Sequence, residues 1–100
     1  MNSTPSSYRE TLLNQAITTV TKSRTQDYGP PDQDFRNIAQ LWSVLLNTPV
    51  DSAQVAKCMI ALKLSRLIHS PSHKDSWLDI AGYAACGYEV TQGEVYESTE

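Results

Sequence analysis

The absences in this sequence narrow it first. Its 100 residues include only four glycines, none within four residues of another, too scattered for a glycine-rich phosphate loop. The two cysteines, Cys58 and Cys86, lie in apolar segments without CxxC or Cys/His spacing. They read as small buried hydrophobes in a reducing compartment. No apolar run approaches the ~18 residues of a membrane span, and the opening MNSTPSSYRE lacks the apolar stretch of a secretory signal. A net charge of −3 with no basic stripe argues against duplex nucleic acid as a partner, and there is no sign of a membrane partner either. Phosphates held locally by a few cations remain compatible with that balance.

What is present looks globular. The hydrophobic fraction of 40% and charged fraction of 19% sit near the averages for folded domains. The length suits one domain, in which about two thirds of the unfolded surface is buried. The expected setting is cytoplasmic.

Nothing reads as a strand. Helices are predicted at about 7–27, 32–47, 51–69 and 75–90, followed by an acidic tail over 91–100, and the fold class is all-α, a compact four-helix domain. The first helix opens on a capping box, Ser7-x-x-Glu10, and carries Leu12, Leu13, Ala16, Ile17 and Val20 at helical spacing. Thr18, Thr19, Val20 and Thr21 are β-branched and weaken its middle. Gly29 and Pro30 stop it. Asp32 or Asp34 caps the second helix, whose stripe is Phe35, Ile38, Ala39, Trp42, Leu45 and Leu46. Asp51 with Gln54 caps the third. That helix is apolar nearly all round, which predicts a central position or one shared with a second subunit. The fourth shows a core stripe of Trp77, Ala81, Ala84 and Tyr88.

Several residues interrupt these patterns. Lys63 falls between Ile60 and Leu67 in the apolar stripe, where an ammonium needs a carboxylate, a phosphate or a route outward along its stem. Arg66 flanks it. Asp75 and Asp79, one turn apart, could offer two oxygens to magnesium. The plainer readings are a helix cap for Asp75 and a solvated or ion-paired Asp79. Gly82 and Cys86 continue the Asp79 face and Tyr83 borders it, so that face is expected to be buried or functional. His69 and His73 flank Pro71 without a third ligand and read as loop histidines. The turn RTQDYGPP gathers Arg24, Asp27 and Tyr28. Either Asp27 pairs with Arg24 or Lys63 to pin the turn, or the three form the rim of a ligand site.

The segments KSRTQDYGPPDQDFRNIAQLWSVLL and VAKCMIALKLSRLIHSPSHKDSWLDIAGYAA resemble a family of small phage and prophage helical proteins of poorly defined function. The shared pattern is an Asp-Tyr-Gly turn, an Ala-x-Leu-Trp helix, a Lys-x-x-Arg helix and an Asp-x-x-x-Asp-Ile-Ala-Gly-Tyr helix, spanning about residues 10 to 90. That family is similar in turn to the all-α, MazG-like nucleotide pyrophosphohydrolases and to the helical domain associated with phage nucleotide modification. The resemblance implies a bundle that forms homo-oligomers, with nucleotide sites between helices and subunits. If the chain is phage-encoded, its compartment is the host cytoplasm. The pattern departs at the metal site: MazG-like enzymes use Glu-x-x-Glu and Glu-x-x-Asp, and only Asp75 and Asp79 map onto the later pair, at a spacing of four.

Three functions follow. The first is binding of a nucleotide or small phosphorylated ligand, to sequester it (a host defence signal included) or to support nucleotide modification. Arg24, Lys63 and Arg66 would hold phosphate, Tyr28 or Tyr83 would stack on the base, and Asp27 or Asp79 would hold its polar groups. The second is a divergent magnesium-dependent pyrophosphohydrolase with the metal on Asp75 and Asp79. The third is a structural or protein-binding module in which Lys63 and Asp79 are a buried ion pair.

Overall fold

Ser7 opens the first helix, its Oγ accepting the Glu10 amide at 3.1 Å, half of the reciprocal box expected from sequence. The computed structural model of the chain describes residues 7–93. Over those residues it is an all-helical domain of four helices with no strand, the first of them interrupted. The acidic tail from 94 onward lies outside the described residues. The interrupted rod comprises α1 (Tyr8–Thr18), a π-helical turn (Thr19–Ser23) and α2 (Arg24–Tyr28). There follow α3 (Pro31–Leu46), α4 (Ser52–His69) and α5 (Lys74–Gly93).

The π turn has a local cause. Leu12, Ala16, Val20 and Arg24 all turn inward and are spaced four apart, whereas a regular α-helix drifts about 40° at each such step. A wider turn absorbs the accumulated excess and returns Arg24 to the inner face. Its amide bonds to Thr19 O, one residue further back than in an α-helix. Threonine hydroxyls occupy the carbonyls around the irregularity: Thr19 donates to Gln15 O at 2.9 Å, Thr21 to Ile17 O at 2.6 Å and Thr25 to Val20 O at 3.3 Å. The β-branched run therefore supplies the hydrogen bonds that stabilise the break.

Gly29 (φ 81°) then reverses the chain in a conformation closed to other residues, and Pro30 and Pro31 aim it into α3. Pro30 occupies the cap position without a side-chain bond. Asp32 and Asp34 lie inside the first turn of α3, where they face its dipole, and do not cap it as the sequence suggested. Asn47, in the left-handed region (φ 53°), ends α3. Ser43 Oγ ties down the loop by accepting the Val50 amide at 2.9 Å. The box on α4 is complete, with Asp51 and Gln54 each bonding the other's backbone at 2.8 Å.

α4 and α5 form an antiparallel hairpin with the most extensive packing in the molecule. The approach is tight at Gly87, where a Cβ would meet Ala56 Cβ at 2.9 Å. α3 lies across one half of this hairpin, and α1 leans on α5 alone. The core is Phe35, Ala39, Val55, Ala56, Cys86 and Val90, with Val20, Ile38, Trp42, Met59 and Tyr83 packed around it.

The inward face of α5 corrects the sequence reading. The expected core stripe of Trp77, Ala81, Ala84 and Tyr88 points outward, with Trp77 46% and Tyr88 70% exposed. The buried face carries Ser76, Gly82, Cys86 and Val90, the side on which Asp79 lies. Small residues let α4 and the π turn approach there, and this close contact displaced the bulkier stripe. Leu45 and Leu46 on α3, Leu13 and Ile17 on α1, and Leu62, Leu64 and Ile68 on α4 are likewise exposed. Cys58 is exposed, contrary to its reading as buried, while Cys86 is buried. No helix of the described residues is long and apolar enough to cross a membrane.

Candidate functional site

The turn at Gly29 folds the start of α3 back on α2, and this brings Asp34 to Arg24. Their Nη2 and Oδ2 atoms are 2.9 Å apart, and both side chains are largely buried. The guanidinium also lies 5.1 Å from the ring centre of Tyr28 and 5.2 Å from those of Phe35 and Tyr83. Phe35 and Tyr83 pack at 6.3 Å with a 44° tilt. A planar, weakly hydrated cation suits such a three-sided aromatic setting better than an ammonium would. Its Nε is buried with no hydrogen-bond partner, so the Arg24 head is only partly satisfied within the chain.

One turn of α5 away, Lys63 Nζ lies 2.8 Å from Asp79 Oδ2. The sequence placed Lys63 among apolar residues in need of a carboxylate, and α5 supplies it. The lysine side chain is 12% exposed and the aspartate 36%. Between the two ion pairs lies a recess of ≈ 40 Å³ lined by Thr19, Val20, Arg24, Asp79, Gly82 and Tyr83. Pockets that hold drug-sized ligands run from about 300 Å³ upward, so in this conformation the recess is too small to enclose a nucleotide.

Of the residues singled out from sequence, Arg24, Tyr28 and Tyr83 come together, Lys63 and Asp79 pair across the α4–α5 hairpin, and Arg24, Asp79 and Tyr83 line the one recess between them. Asp27 and Arg66 are exposed and join neither ion pair. Asp27 thus pins nothing; its expected place beside Arg24 is taken by Asp34. Asp75 is exposed within the first turn of α5, which begins at Lys74, so it does not cap that helix. It lines a separate polar groove with Thr11, Asn14 and Thr18. His69 is exposed, and His73 Nδ1 pairs with Ser76 Oγ at 2.7 Å.

A magnesium ion on Asp75 and Asp79 does not fit these residues. Asp79 already neutralises the Lys63 ammonium, which would repel a second cation at the same oxygen. Among the described residues no three His, Cys, Asp or Glu side chains cluster as metal ligands. Cys86 is a further buried titratable group: burial pushes its thiol pKa up, while the Arg24 charge pulls it back down.

The sequence reading missed Asp34 and Phe35 as members of this region. The signal was available: a glycine followed by two prolines reverses the chain, and residues four or five beyond the reversal return to the helix before it.

Two curated relatives match the chain over most of its length. The Gene 55 protein of Mycobacterium phage D29 is 36% identical over 77 residues, covering 77% of this chain and 51% of the relative. The Gene 55 protein of Mycobacterium phage L5 is 38% identical over 77 residues, covering 73% of this chain and 47% of the relative. The chain thus spans about half the length of the curated relatives it matches. No solved structure matches the chain. Residues 11–91, which contain both ion pairs and the greater part of all four helices, match a domain of unknown function, DUF6378, and the chain belongs to that family.

Proposed function

We propose that this member of a phage-associated family binds a nucleotide or small phosphorylated ligand beside Arg24 and Lys63, in the host cytoplasm if it is phage-encoded. The observation that carries the reading is the convergence of two cations with Tyr28 and Tyr83 on one region, with a guanidinium Nε left unbonded. Phosphate is a natural partner for a forked guanidinium. Tyr28, 60% exposed and against the Arg24 guanidinium, would stack on the base. Because the recess is small, the ligand sits at its rim and must displace Asp34 or Asp79 from a cation. Sequestering a nucleotide signal and supporting nucleotide modification both fit such a site.

A second reading is favoured by the ion pairs themselves. Both are closed, at 2.9 and 2.8 Å. A charged centre satisfied this way fixes helix register with no ligand at all, and the protein is then a structural or protein-binding helical module. For the pyrophosphohydrolase alternative no cluster of metal ligands is found among the described residues, so no hydrolytic step is assigned.

Titration calorimetry against nucleoside triphosphates and cyclic nucleotides, with and without magnesium, decides among them. The binding reading expects heat that is lost in Lys63→Met and in Tyr28→Ala while the helical circular dichroism is kept. It also expects Asp34→Asn, which removes a competing anion, to tighten binding. Silence across the panel would leave the structural reading standing. Release of pyrophosphate that disappears in Asp79→Asn would support hydrolysis instead.

A further inference from the structure

A groove of ≈ 660 Å³ lies between the first turn of α1 and the start of α5. It falls within the roughly 300–1,000 Å³ of small-molecule sites, whereas the recess beside Arg24 does not. Its apolar walls are Tyr8 and Leu12 from α1 and Trp77 from α5. Trp77 Nε1 donates to Pro71 O at 2.8 Å. The one polar atom of the indole is thereby satisfied and the ring pinned, with nearly half of the residue still open to solvent. Tyr8, on the α1 wall, is 98% exposed. Aromatic surface left open inside a concavity of this size is surface that a ligand can cover.

The charge on the groove states what that ligand must carry. Arg9 and Lys74 line it beside the hydroxyl side chains of Thr11 and Ser72, and no carboxylate does. Among the described residues neither cation joins an ion pair. Asp75, next to Lys74, lines the adjoining polar groove instead, and Glu10, next to Arg9, lines neither. The chain as a whole is acidic, with a net charge of −3, so two uncompensated cations in one concavity run against its balance. We propose that this groove binds a small organic anion with a flat aromatic body. The ring lies against Trp77 and Tyr8, and its oxyanion head is held by Arg9 and Lys74. A neutral aromatic would use only the rings and an aliphatic anion only the cations; one molecule carrying both features uses the whole groove. Arg9 stands about 22 Å along the first helix from Arg24. The inference therefore does not rest on ligand binding at Arg24 and Lys63, and either can fail alone.

Proton–nitrogen correlation spectra of the full chain test it, because its two tryptophans, Trp42 and Trp77, give two indole signals. Trp77→Phe assigns them. Titration with 2-naphthoate should move the Trp77 indole saturably and leave that of Trp42 in place. The neutral isostere 2-naphthamide should bind about tenfold more weakly, and acetate should move neither signal. Arg9→Gln and Lys74→Gln, both at exposed positions, should each weaken naphthoate about threefold. The double variant should bind naphthoate and naphthamide alike, with its helical circular dichroism unchanged. Lys22→Gln removes an exposed cation outside the groove and should leave the titration as it was. A Trp77 signal that naphthoate does not move would overturn the proposal, leaving the groove to another segment of the chain or to a protein partner. Equal binding of naphthamide by the parent protein would also overturn it, as would a preference for naphthoate that survives the double variant.

Discussion

Lys63 and Asp79 meet at 2.8 Å across the α4–α5 hairpin, and the lysine is the more deeply buried of the two. Removing the carboxylate therefore strands an ammonium that is poorly placed to reach water. Asp79→Ala is expected to lower stability by about 1–3 kcal/mol. The double variant Lys63→Met, Asp79→Leu removes both charges and should recover most of that loss. Urea denaturation of the three proteins checks the pair. A double variant as unstable as Asp79→Ala would contradict this account.

Arg24 is held by shape as much as by charge. Its guanidinium faces three rings and one carboxylate. Arg24→Lys keeps the charge but loses the planar contact, and should cost about 1–2 kcal/mol. Arg24→Ala should cost more, because Asp34 is then left without its cation. Thermal melts of the two variants should fall in that order.

Gly87 lies at a tight contact between α4 and α5. Alanine in a helix interior normally gains about 0.5–1 kcal/mol over glycine. Here the new methyl would fall 2.9 Å from Ala56 Cβ, an atom fixed to a packed helix, and overpacking of this kind costs about 1–3 kcal/mol. Gly87→Ala should therefore destabilise despite the better propensity. Adding Ala56→Gly should restore stability, as denaturant midpoints would show.

The two thiols should separate by reactivity. At mildly alkaline pH a disulfide reagent should titrate Cys58 promptly and reach Cys86 only when denaturant is added, since Cys86 is buried with its pKa raised by burial. The sign of the linked stability follows. A thiol whose pKa is higher folded than unfolded makes its full contribution below the unfolded pKa and loses it as pH climbs toward the folded one. Stability should thus decline above the ordinary thiol range of about 8–9, and Cys86→Ala should flatten that decline.

The helices and their punctuation were legible in the sequence because they are local. Asp51 with Gln54 and the stops at Gly29 and Asn47 depend on residues within a turn of each other. Lys63 was legible as an anomaly because helical phase alone places it among apolar neighbours. Its partner was one of several candidates, since distance in space is not written in spacing. The face of α5 was misread for a related reason. Hydrophobic periodicity assumes that the bulkiest stripe is buried, whereas alanine, glycine and cysteine on the other face allowed α4, α3 and the π turn to crowd in. Asp34 was hidden by a plausible second role at the start of α3.

The π turn between Val20 and Arg24 has a bearing on how this family can vary in length. It amounts to one residue beyond what an unbroken α-helix would need between those two inward positions. A homologue shorter by a single residue anywhere in 19–23 can straighten the helix and still deliver its arginine to the aromatic cage. A homologue shorter by two would swing the arginine off the inner face. Single-residue gaps at this point are therefore neutral punctuation, and larger ones should travel with loss of the Asp34 pairing.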